Sequence, residues 1–309
     1  MIADILFVLG GLGLLVLGGE VLVRGAVALA LRLGIAPVIV GLTVVAFGTS
    51  APELIVSVAA ALGGRPGIAL GNVVGSNIAN ILLILGATAV IAPVLSDDGE
   101  LKKSWLCVIA ASVLLILLCL AGPLIWWHGL VLLAGLALVL GGQIRRAGAG
   151  RNAAPATGVG HAAPRMIAIW LAVGLVALPI GARLLVTGAS DIARGFGISE
   201  AVIGLTLVAL GTSLPELAAS VASALRGRAD MALGNVIGSN LFNILAIMGI
   251  TALFGPLPVP PEMLRVDLWF MLLTSLAVGP FLWRRLPIGR LAGAALLAAY
   301  AAYTLWLLA

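Results

Sequence analysis

Two stretches of this chain are written twice. Residues 41–54, GLTVVAFGTSAPEL, return as residues 204–217, GLTLVALGTSLPEL, and residues 70–86, LGNVVGSNIANILLILG, return as residues 233–249, LGNVIGSNLFNILAIMG. Both pairs stand 163 residues apart without a gap, and 11 of 14 and 12 of 17 positions are identical. The matches include Thr, Ser, Pro, Glu and Asn, so shared hydrophobicity does not explain them. Each copy must therefore be one structural unit, a stronger constraint on the fold than any local pattern.

The solvent of that unit follows from composition. Of 309 residues 62% are apolar and 9% charged, against roughly 25% charged in soluble domains. Ten apolar runs each approach the ~20 residues that cross a bilayer core: 2–31, 36–62, 67–91, 104–121, 124–143, 166–193, 199–225, 231–254, 263–283 and 287–308. The first run lacks a basic segment before it and a small-residue cleavage site after it, so it is read as a retained span. The runs divide five and five around residues 144–165, rich in Gly, Ala, Pro and Arg and expected to be a disordered cytoplasmic linker. Five is odd, so the second copy enters the membrane from the opposite side. The fold class is then an all-α membrane protein of ten transmembrane helices in two inverted five-helix repeats, residues 1–143 (motif 41–86) and 166–309 (motif 204–249).

The net charge of +5 reports orientation and does not point to nucleic acid as a partner. Twelve basic residues, from Arg32 to Arg290, fall on one side of the threaded chain, against Arg65, Arg194 and Arg265 on the other. The rich side is cytoplasmic by the positive-inside rule, which puts both termini outside the cytoplasmic membrane. Cys107 and Cys119 have no metal-ligating neighbours and read as apolar helix residues. His128 falls in a short turn and His161 in the linker, far from any intramembrane carboxylate.

Glu53 and Glu216 are equivalent in the two copies and lie near the middle of apolar runs. A carboxylate there costs at least ~2.5 kcal/mol, so its presence points to function. Each follows a break, GTSAPE or GTSLPE. Pro52 and Pro215 lack an N–H and clash with the carbonyl four residues back, so carbonyls at Gly48, Thr49, Gly211 and Thr212 are expected to face a cavity. Two carboxylates with such carbonyls approach the about 6–8 oxygens Ca2+ takes. No thiolate or imidazole is near, which disfavours soft metals. Asn72, Ser76 and Asn80, and their counterparts Asn235, Ser239 and Asn243, are spaced by four along one helix face. Ser76, Asn80, Ser239 and Asn243 are expected to add oxygens to the cation site. Asn72 and Asn235 either join them or hydrogen-bond between helices.

GTSxPEL followed by GNVxGSN, twice in opposed halves, resembles the alpha repeats of the Ca2+/cation antiporter superfamily, in its sodium/calcium exchanger branch. The resemblance covers nearly the whole chain. It implies a core of the second, third, seventh and eighth helices, with the first and sixth sliding across it for alternating access. It implies a cation site of Thr49, Ser50, Glu53, Ser76 and Asn80 with Thr212, Ser213, Glu216, Ser239 and Asn243. Two departures stand out. The short linker has no room for large Ca2+-sensing domains, and Asn243 stands where such exchangers commonly have Asp. The proton-coupled branch resembles GNxxEL around its Glu, so the motif leans towards Na+.

The expected activity is exchange of Ca2+ for Na+ by a monomer, with the lipid bilayer and the transported cations as its partners and no cofactor. Exchange against H+ is the alternative. A channel would not need two equivalent broken helices, and no Ser/His pair, zinc motif or second carboxylate within one half supports an enzyme.

Overall fold

The computed structural model describes residues 2–94, 99–149, 162–197 and 209–308. The regular elements among them are helices: α1 Ile2–Leu33, α2 Pro37–Thr49, α3 Ala51–Leu62, α4 Pro66–Ile91, α5 Gly99–Ala121, α6 Trp126–Ala149, α7 Pro164–Gly195, α8 Leu214–Leu225, α9 Ala229–Thr251, α10 Met263–Arg284 and α11 Arg290–Leu308. Among the described residues, eight are long and apolar enough to cross a membrane singly. The pair α2 and α3, bent by 42° at its break, makes a ninth. α8 continues the run that begins at residue 199, but most of that run before it, residues 199–208, lies outside the described residues.

Local chemistry sets the helix ends. Pro37, Pro66 and Pro164 open α2, α4 and α7 at the first turn, where a missing N–H costs nothing. α3 and α8 close identically. Gly64 and Gly227 adopt φ of 68° and 70°, and each end makes the paired 6→1 and 5→2 bonds of a Schellman cap: Arg65 to Ala60 and Gly64 to Ala61 in one copy, Arg228 to Ser223 and Gly227 to Ala224 in the other.

Three expectations need correction. α6 runs on to Ala149, six residues into the stretch read as a linker, because Arg and Ala in IRRAGA favour helix; residues 150–161 lie outside the described residues. α5 begins at Gly99 and not at 104, with Glu100 and Lys103 paired at 2.7 Å across its first turn. His128 is in the first turn of α6, not in the short turn between helices, and its Nδ1 accepts the N–H of Ile125 at 3.0 Å.

The helices are layered by burial. Of the most apolar eighteen residues, 94% are buried in α9 and 72% in α4, against 6% in α11. α9 and α4 therefore form the centre, and outward residues such as Leu291 (89% exposed) present an apolar exterior. α1 and α7 lie antiparallel on one flank. Backbone meets backbone there: a Cβ on Gly11 would lie 2.6 Å from Leu185 N, and one on Gly174 2.8 Å from Leu22 N. Gly11, Gly18 and Gly25 recur every seven residues, as do their counterparts Gly174, Gly181 and Gly188. Such small-residue seams hold helices together where lipid offers as good an apolar neighbour as protein does.

Candidate cation site

Both carboxylates sit in the first turn of a helix that starts at a break. Ser50 (φ −83°, ψ 6°) and Ser213 (φ −88°, ψ 0°) occupy the sparsely allowed region between α and extended backbone. The chain turns there because Pro52 and Pro215 cannot continue the preceding ladder. Bonds from Leu54 N to the Ser50 carbonyl (3.2 Å) and from Leu217 N to the Ser213 carbonyl (3.1 Å) restart it. Glu53 and Glu216 thus stand at positive helix N-termini, where a negative charge is favoured. Each is only 1% exposed.

The two breaks reach across to each other's carboxylate. The Ser50 hydroxyl donates to Glu216 Oε1 at 2.9 Å, and Thr49 lies against the same carboxylate. Thr212 lies beside Glu53, although its Oγ1 makes no hydrogen bond to a described residue, and the two glutamates are neighbours. Asn80 opens a π-helical turn, Asn80–Leu85, and Asn243 falls in its counterpart, Phe242–Ile247. Such wide turns inside helices are common at functional sites. The first turn packs against α8 and the second against α3, so each asparagine's turn lies beside the other copy's glutamate helix. Ser76 and Ser239 lie one turn before the asparagines and are buried, as is Ser213 in its break.

Many polar atoms here have no partner among the described residues. They are Oε2 of both glutamates, Thr212 Oγ1, Asn80 Oδ1, Ser239 Oγ, and both amide ends of Asn243. A buried polar atom left unbonded costs roughly 1–3 kcal/mol. A cation can recover that cost, because all but one of these atoms are oxygens able to ligate a hard ion.

Asn72 and Asn235 do other work. Asn72 Nδ2 donates to the Glu53 carbonyl (3.1 Å) and to Ser57 Oγ (2.9 Å). Asn235 Nδ2 donates to the Glu216 carbonyl (3.3 Å) and to Ser220 Oγ (3.0 Å), and its Oδ1 accepts from Thr49 (3.4 Å). They tie each glutamate helix to the one that follows it, the interhelical option. Ser57, Ser220, Asn77 and Asn240 were not singled out from the sequence. All four are buried and hydrogen-bonded. Their identity across the 163-residue offset was the signal that could have found them.

The family model described as "Sodium/calcium exchanger protein" matches residues 4–145 and 166–309. The sodium/calcium exchanger MaX1 of Methanosarcina acetivorans is 34% identical over 342 aligned positions that cover 97% of both chains. The inner membrane protein YrbG of Escherichia coli is 36% identical over 285 residues, 90% of this chain and 88% of that one. Among solved structures, the sodium-calcium exchanger NCX_Mj superposes with a TM-score of 0.87 at 35% identity, covering 99% of each chain. Sequence and fold agree over both copies, and the chain belongs to the sodium/calcium exchanger family of integral membrane transporters.

Proposed function

We propose that this protein exchanges Ca2+ for Na+ across the cytoplasmic membrane by alternating access, and that Glu53 and Glu216 are the charged ligands of its cation site. The observation that carries the reading is reciprocity. Each copy buries one carboxylate at a helix break, and the break hydroxyls of the other copy face it. One Ca2+ between two ionised glutamates is neutralised locally, and the unbonded oxygens supply the rest of its shell. Thr49, Ser50, Ser76 and Asn80 with Thr212, Ser213, Ser239 and Asn243 complete the ligand set.

The architecture that serves this site is two inverted five-helix copies, residues 1–143 and 166–309, joined on the cytoplasmic side, with both termini outside. Antiparallel packing of the equivalent helices α1 and α7 supports it. That pair crosses the carboxylate helix α8 on small residues, a Cβ on Gly19 falling 2.9 Å from the Ala218 carbonyl. A smooth contact of this kind lets α1 and α7 slide over a site that stays in place, opening it to one side and then the other. The site lies within one chain, so a monomer suffices.

Glu53→Gln and Glu216→Gln test the reading. Each removes a charge that offsets dehydration of the ion, and Na+-driven 45Ca2+ uptake into proteoliposomes should fall by more than about 100-fold, while the purified protein keeps its thermal transition. Substantial uptake by either variant would refute the site.

A further inference from the structure

Asn240 stands where the two copies meet. Its Nδ2 donates at 3.4 Å to the carbonyl of Asn77, 163 positions away, which is its own counterpart. A residue and its counterpart touch only beside the axis that relates the copies. A carbonyl oxygen accepts and never donates, so this contact decides which end of the Asn240 amide is nitrogen. The other end, Oδ1, receives Nδ2 of Asn80 at 2.9 Å. Asn80 therefore has its nitrogen committed. Its Oδ1, the opposite end of the same planar amide, is buried and has no hydrogen-bond partner among the described residues.

We infer that Asn240 is a positioning residue that turns the amide oxygen of Asn80, and not its nitrogen, into the cation site. This rests on the site proposed above. A cation is bound by oxygen and repelled by an amide N–H, so the choice of end decides whether Asn80 is a ligand at all. Among the described residues the other half lacks the device. Asn77 gives its Nδ2 to the Val73 carbonyl of its own helix at 2.7 Å, and no described residue holds either end of the Asn243 amide. The two equivalent asparagines are thus unequal: Asn80 is set before the ion arrives, and Asn243 must be turned by it.

The test is 45Ca2+ binding to the purified full chain. Asn240→Leu, with the same branched heavy-atom skeleton but unable to hydrogen-bond, should weaken Ca2+ binding by about 10- to 100-fold, the range seen when the support of a metal ligand is removed. Asn80→Asp offers oxygen at both ends, so on that background the same change should shift Kd by less than about 3-fold. Asn240→Ser is measured alongside, since leucine also alters packing, and the same two results are expected of it. An unchanged Kd in the Asn240 variants, or an equal loss with and without Asn80→Asp, overturns the inference. Parallel binding by Glu53→Gln and Glu216→Gln separates the two readings. Ca2+ binding retained there removes the site itself, whereas binding lost there but unchanged in Asn240→Leu removes only the positioning role.

Discussion

Ser50 makes a hydrogen bond to a partner 166 residues away, and that bond fixes one oxygen of Glu216. A hydrogen bond to a charged group contributes about 1.5–3 kcal/mol, and Ser50 is also a ligand in the proposed set. Ser50→Ala should therefore raise the KM for Ca2+ about 10-fold, with Ser50→Thr close to wild type because it keeps the hydroxyl; equal KM values in all three proteins would show that the hydroxyl has no such role. The glutamates and break residues were legible in the sequence because apolar surroundings make a repeated Glu or Pro conspicuous. The division of labour among the asparagines was not. Asn72, Asn80, Asn235 and Asn243 share one spacing, yet two tie helices together and two carry oxygens with no partner among the described residues. Which neighbour meets each amide is a tertiary fact that helix periodicity does not hold.

α1 and α7 pack through glycine, and the approach is not uniform along the seam. A Cβ on Gly174 would come within 2.6–2.8 Å of Leu22 Cβ, Cα and N, whereas one on Gly10 would meet nothing within 4 Å. Gly174→Ala should cost about 1–3 kcal/mol as the helices are forced apart. Gly10→Ala should be neutral or slightly stabilising through helix propensity. Thermal unfolding in detergent compares them, and equal midpoints would contradict the packing described. Most helices were legible to within a few residues, since apolar length and Pro or Gly punctuation mark spans well. The continuation of α6 through 144–149 was missed because a charged, Gly-containing segment reads as a loop when no membrane boundary forces it to end. The π-helical turns at 80–85 and 242–247 carry no pattern of their own. They lie where each helix packs against the opposite copy.

The two copies match closely in the sequence of their motifs and differ at their margins. Glu20 on α1 pairs with Arg226 at the end of α8, through Nε at 2.7 Å and through Nη2. The equivalent positions, Arg183 and Gly63, cannot form such a pair. In the proposed site, charge at the centre should set the exchange ratio. Glu53 and Glu216 supply about −2 when ionised, Asn80 and Asn243 supply none, and a third monovalent ion would leave excess positive charge in a low-dielectric site. Two Na+ should therefore replace one Ca2+. The most direct measurement is 45Ca2+ flux in proteoliposomes with Na+, pH and voltage gradients imposed separately. The account predicts Ca2+ movement that requires an opposed Na+ gradient and is unaffected by membrane potential. Ca2+ flux that proceeds without Na+, or that is driven by voltage with net charge carried per Ca2+, would contradict it.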